Sequence, residues 1–163
     1  MKKRRILSKL IYDPENKIIQ KSTKDRIYRG CEILHEGIYC DSLSKENTYY
    51  PKETLKKCIT KWRDNHLNIN HNTMDILSKI GFVENSRWEN NCVMADLRIL
   101  PITQNARDTI SLIDAGICTD LSVEIFCDEE YDYDTNMINV VDMEFDGVSC
   151  VIQGADPNAR INF

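Results

Sequence analysis

Apolar and polar residues alternate along this chain with two periods, and the places where the period changes mark its elements. Ile27 to Leu34 reads as a strand, continued after a turn by Gly37-Ile38-Tyr39. Pro51 suits the first turn of a helix. Leu55, Cys58, Ile59 and Trp62 follow at the spacing of one buried helical face. Leu67-Asn68-Ile69-Asn70 is a short alternating strand that delivers His71 at its end. Ile80 to Val83 predicts another strand, Asn85 to Asn91 a polar turn, and Val93, Ala95, Leu97 and Ile99 alternate over a further strand. Thr103 is placed to cap a second helix, with Ala106, Ile110 and Ile113 on one face and Gly116 as its stop. Leu121 to Ile125 reads as a strand, Asp128 to Asp134 as an acidic tip, and Ile138 to Phe145 as the return strand. Gly147 then turns the chain into a last apolar run, Val148 to Ile152. Strands outnumber helices and are mostly short. The pattern predicts an α+β, mainly β fold: a compact β-barrel of short strands flanked by two or three helices.

Composition narrows the class. With 163 residues, 42% of them hydrophobic and 29% charged, the chain can bury the core of one domain and is neither a disordered tail nor a coiled coil. No stretch approaches the ~18 apolar residues that span a bilayer, and Lys9 and Asp13 interrupt the apolar core that a signal peptide needs after Met1-Lys2-Lys3-Arg4-Arg5. No membrane partner and no export are expected. The seven cysteines include no C-x-x-C pair, so they read as reduced, mostly buried thiols rather than a disulfide framework or zinc ribbon. Charge divides the chain. Residues 1–63 hold 16 Lys+Arg against 8 Asp+Glu, whereas residues 64–163 hold 5 against 18. Residues 1–26 form a basic arm ahead of a single domain over 27–163. Because no aromatic-basic interleaving accompanies that arm, a solvated segment that also meets acidic partners is expected, and nucleic acid is not.

The chemistry on offer is sparse. His66 and His71 are five apart, and neither they nor His35 form an H-E-x-x-H helix or pair with cysteines at ligand spacing, so no metal and no cofactor is expected. Phosphate-loop, Rossmann and G-x-S-x-G patterns are absent. His66 reads as closing a helix, where it complements the dipole, and Tyr49-Tyr50 reads as packing. What remains is a histidine at a strand end, a serine inside a strand and acids on a later strand. Ser122 shares its strand face with Glu124 and Phe126. Spacing alone makes it a solvated serine. A nucleophilic role needs His71 as general base and an acid to hold the imidazole. Asp142, Glu144 and Asp146 alternate along one face and each offer that acid.

The block Gly147-Val148-Ser149-Cys150-Val151-Ile152-Gln153-Gly154-Ala155-Asp156-Pro157-Asn158-Ala159-Arg160-Ile161 resembles the closing signature of the prohead maturation proteases of tailed bacteriophages, a V-S-x-V strand running into P/G-A-N-P-x-A. Asn70-His71 with Ile80-Gly81-Phe82-Val83 is similar to that family's N-H…G-x-V segment, and Gly116 with Leu121-Ser122-Val123 to its G…L-S-[IV] segment. The resemblance covers roughly residues 27–161 in the family's order of histidine, serine, acid. It implies the fold of the herpesvirus assemblins and a serine endopeptidase that needs no cofactor. Ser122 is then the nucleophile, His71 the general base, and an acyl-enzyme forms. The implied partners are scaffold protein and major capsid protein as substrates, with self-cleavage, inside the assembling prohead in the host cytoplasm; association into a homo-oligomer is left open. The family's acid stands immediately before V-S, where this chain has Gly147. A bulge there would bring in Asp146, the first candidate, with Glu144 the second. The same glycine favours the alternative reading, a non-catalytic capsid-assembly or scaffold-binding protein with the same fold.

Overall fold

A computed structural model describes residues 8–12, 18–22, 24–40 and 45–163. Among the described residues, ten strands and two helices follow one another: β1 (Ser8–Tyr12), β2 (Ile18–Ser22), β3 (Arg26–His35), β4 (Gly37–Cys40), β5 (Asn47–Tyr50), α1 (Lys52–Cys58), β6 (His66–Ile69), β7 (Gly81–Glu89), β8 (Cys92–Ile99), α2 (Gln104–Asp114), β9 (Asp120–Asp132) and β10 (Met137–Val151). A single 3-10 turn, Ile76–Ser78, lies between β6 and β7. β1 and β2 pair as an antiparallel hairpin of their own, and the rest of the expected basic arm up to Thr23 lies outside the described residues.

The other eight strands form one mixed sheet in the order β3-β8-β7-β6-β10-β5-β4, with β9 also paired to β10. The mainly β character with two helices agrees with the periodicity; the closed barrel does not appear, because no ladder joins the ends of this path among the described residues. The gap between β3 and β9 is instead stitched by residues 159–161. Glu32 and Arg160 exchange backbone hydrogen bonds of 2.9 and 2.8 Å on one side, while Leu121 donates to Ala159 (3.1 Å) and Ile161 to Thr119 (2.8 Å) on the other.

Each helix buries the stripe that its spacing predicts. Leu55 and Cys58 of α1, and Ala106 and Ile113 of α2, sit in the core with Leu67, Leu97, Leu121, Phe145 and Val148. Thr103 caps α2 by accepting the Ala106 N–H, and Gly116, at φ +69°, ends it. α1 is shorter than its pattern. It stops at Cys58, and the backbone of Lys61 and Arg63 pairs with Phe145 of β10 (2.8 Å each), so strand-like pairing overrides the helical period. Trp62 still reaches the core by stacking on Phe145, centroid to centroid 4.5 Å. The polar segment Asn85 to Asn91 is likewise mostly strand. The turn is only Asn90-Asn91, both at positive φ as a two-residue hairpin requires, and Asn85 makes a bulge at φ +54°. Gly147 lies inside one continuous fifteen-residue β10 and not at a turn. The acidic residues from Asp128 onward extend β9 before the chain turns back.

α1 and the segment that follows it are bound to β10 by charge as well as packing. Lys61 Nζ lies 2.6 and 2.7 Å from the two Asp142 carboxylate oxygens, with Lys57 Nζ at 3.3 Å. The Lys61 hydrogen bond, joined by those of Cys58 and Lys57, holds the Asp142 carboxyl well below the usual carboxylate range. A carboxyl so depressed stabilises the fold above its unfolded pKa near ~3.9, and the contribution is lost as pH falls through the folded value. Asp142→Asn should therefore lower Tm at pH 7, and the gap from the parent protein should close as scans are taken at progressively lower pH below about 4.

Candidate active site

His71 is placed by a turn that costs backbone strain. Asn70 and His71 sit at φ +52° and +54°, and Asn72 N–H donates to Ile69 C=O at 3.0 Å, which makes a two-residue type I′ turn after β6. Asparagine visits this region at little cost; histidine does so less readily, and such strain concentrates at functional positions. Two bonds hold the turn on β10: Asn70 N–H donates to Cys150 C=O (3.0 Å), and His71 N–H to the Ser149 hydroxyl oxygen (3.0 Å).

The side chain of His71 is fixed from β9. Its Nδ1 lies 2.8 Å from Glu124 Oε1, the same oxygen that accepts the Ser149 hydroxyl at 2.6 Å. The imidazole is 43% exposed and the carboxylate 14%, so the acid stands behind a ring that still reaches solvent. With Nδ1 donating to Glu124, the Nε2 lone pair is left for other work.

Glu124 can lie there because of the residue opposite. Its Cα partner on β10 is Gly147, at a bulge where Asp146 is the extra residue. A Cβ built on Gly147 would fall 2.7 Å from Glu124 Oε2, 3.0 Å from His66 O and 3.3 Å from Asn68 Nδ2, at a φ of +134°. The carboxylate thus fills the room that a side chain at 147 would take.

Ser122 lies two residues before Glu124 on the same strand face and directly across from Ser149. It lines, with His71, Val123, Glu124 and Asp146, an open groove of about 670 Å³ that is also lined by Leu34, Tyr39 and residues of the loop over 153–159. Among the described residues no hydrogen bond engages the Ser122 hydroxyl, and none joins it to His71. The two serines are therefore unlike. Ser149 is wholly buried with its hydroxyl both donating and accepting, whereas Ser122 is half-buried at the groove.

No family model matches the chain, and no curated protein matches it in sequence. Among solved structures it is similar to the bacteriophage T4 capsid assembly protease, gp21, at 14% identity and a TM-score of 0.52, over 78% of this chain and 96% of that one. At this identity the likeness is one of fold.

Among the described residues, none of the acids expected from the sequence is hydrogen-bonded to His71, although Asp146 also lines the groove. The bulge anticipated beside Gly147 is present, yet Asp146 lies 3.9 Å from Arg63 Nε. Glu144 is exposed opposite Phe126, and Asp142 is taken by Lys61. The carboxylate hydrogen-bonded to His71 is Glu124, which the sequence reading placed on the face of Ser122 without giving it a role. The signal that finds it is the glycine: the strand partner of a residue with no Cβ has room to turn its own side chain inward. His66 also differs from expectation. His66 begins β6 and contacts Asp64 and Lys79. His35 has a partner, as Nδ1 lies 2.9 Å from Asp156 Oδ2. Tyr50 packs on Tyr39, as a packing role for Tyr49-Tyr50 anticipates.

Gly147→Ala should cost about 1–3 kcal/mol in chemical denaturation, through the clash and the positive φ. It should also release His71 from its Nδ1–H tautomer, seen in ring ¹⁵N shifts. Glu124→Ala should produce the same tautomer change without the clash; ring shifts unaltered in both variants would mean that another group holds the imidazole.

Proposed function

We propose that this chain is a serine endopeptidase of phage capsid maturation, cleaving scaffold-protein and capsid-protein segments inside the assembling prohead. One observation carries the reading: an imidazole backed by a largely buried carboxylate, beside a groove that also holds an uncommitted serine hydroxyl. The fold likeness to a capsid assembly protease supports the substrate class.

In this reading Ser122 Oγ attacks the carbonyl carbon of the scissile bond while His71 Nε2 takes the hydroxyl proton. Glu124 keeps the proton on Nδ1 and stabilises the imidazolium that forms, which is the role of the third member of a triad. As the tetrahedral adduct collapses, the C–N bond breaks and His71 gives its proton to the leaving amine. The acyl ester left on Ser122 is hydrolysed by a water that His71 deprotonates. Ser149 is a positioning residue: its hydroxyl ties the His71 backbone to the Glu124 carboxylate and is itself sealed from the groove. Gly147 in the place of the family's acid favours a non-catalytic assembly protein as long as no other acid stands behind His71; Glu124 opposite that glycine supports the enzyme.

A nucleophile and its base act as one unit, so Ser122→Ala and His71→Ala should each lower kcat by roughly 10⁶-fold and the double variant little further. Glu124→Gln should cost roughly 10²–10⁴-fold, while Asp146→Asn and Glu144→Gln stay near the parent rate. A larger loss in Asp146→Asn than in Glu124→Gln would move the acid back to β10. A fluorophosphonate probe should label Ser122 stoichiometrically, and folded protein that takes no label would instead be an assembly module.

A further inference from the structure

At the C-terminal end of β3, three side chains with metal-ligand chemistry converge. The donor atoms of Glu32, His35 and Cys92 all lie within 4.8 Å of one another. In a regular strand, residues three apart point to opposite faces. A register shift between Glu32 and Leu34 adds one residue to β3 and turns Glu32 and His35 to the same side, while His35 lies directly across from Cys92 of β8.

The ring is already oriented for ligation. Asp156, 5% exposed, accepts both the His35 backbone N–H (2.8 Å) and Nδ1–H (2.9 Å) on one carboxylate oxygen. That contact fixes the tautomer, so the Nε2 lone pair faces Glu32 Oε2 at 3.9 Å. A carboxylate holding the distal nitrogen of a histidine is the usual outer support of a metal-ligating imidazole. Two donors on a tetrahedral zinc, with bonds of ~2.0–2.3 Å, stand roughly 3.3–3.5 Å apart, so the cluster needs to contract only slightly. Without a cation, a lone pair, a carboxylate oxygen and a sulfur face one another, and the one proton on offer, that of the thiol, is directed to Glu89 C=O at 3.4 Å.

We propose that Glu32, His35 and Cys92 bind one borderline divalent transition-metal ion, with zinc the best match to a sulfur, a nitrogen and an oxygen donor and one coordination position left to water. Binding replaces the Cys92 thiol proton by the ion and releases that proton to solvent. The ion ties β3 to β8 and, through His35 and Asp156, to the loop that walls the groove. The site is independent of the reaction proposed at Ser122.

Cobalt(II) titrated into the full chain after chelator treatment is the direct probe. One equivalent should give a thiolate-to-cobalt charge-transfer band with tetrahedral d–d intensity, discharged by zinc, and zinc should raise Tm. Cys92→Ser should lose the band, and Glu32→Gln, at a partly exposed position, should weaken cobalt binding by at least tenfold. No band in the parent protein, or a band of equal strength in folded Cys92→Ser, overturns the site. Should Cys92→Ser fail to fold, unchanged cobalt affinity in both Glu32→Gln and His35→Gln overturns it equally.

Discussion

A carboxylate taken from water must recover in hydrogen bonds what it loses in hydration. Glu124 recovers it on one oxygen, where the Ser149 hydroxyl and the His71 imidazole both bond, while Oε2, beside Gly147, is buried without a partner among the described residues. The side chain is therefore committed to His71 from both directions: attracted at Oε1 and confined at Oε2. That commitment depends on β10 being continuous from Met137 to Val151, because one strand supplies the missing Cβ at 147, the hydroxyl at 149 and the carbonyl at 150 that receives the turn after β6. Break the strand at the bulge, and the acid, the turn and the serine face lose their common reference.

Irregularities in the strands do the aiming. The extra residue at Asp146 lets Glu124 lie across from a glycine, and the extra residue between Glu32 and Leu34 puts two ligand-type side chains on one side of β3. Asn85, at positive φ, bends β7 where its amide reaches Asp96, a buried acid that also accepts the Gly30 N–H. In each case an ordinary two-residue alternation would have sent the side chain to the wrong face.

That is also why the sequence was legible in part. Alternation placed β8 and the start of β9, and capping chemistry placed α2, because those elements obey local rules. His71 at a strand end and Ser122 on a strand face followed from the same alternation and from short motifs, and the structure brings both to one groove. The carboxylate in contact with His71 did not follow. Asp146 beside Gly147 was the natural reading of a one-dimensional pattern, whereas the residue that meets His71 comes from the neighbouring strand, and only the pairing register brings Glu124 opposite Gly147. The Glu32, His35 and Cys92 cluster was hidden for the same reason, its cysteine being far along the chain from the other two. α1 was overestimated because Trp62 has helical spacing yet is captured by Phe145.

The parallel pairings of β10 have a kinetic consequence. Its partners β5 and β6 lie about eighty to ninety residues earlier in the chain, whereas β3 with β8, β7 with β8 and β9 with β10 meet in antiparallel register, the last two as neighbours in sequence. Loop-closure entropy delays contacts of long range, so the hairpins form first and the β6–β10 seam closes late. His71 belongs to one side of that seam, and Ser122, Glu124 and Ser149 belong to the other. The groove is therefore assembled late, and a chain still searching for its structure holds His71 and Glu124 on segments that have not yet met.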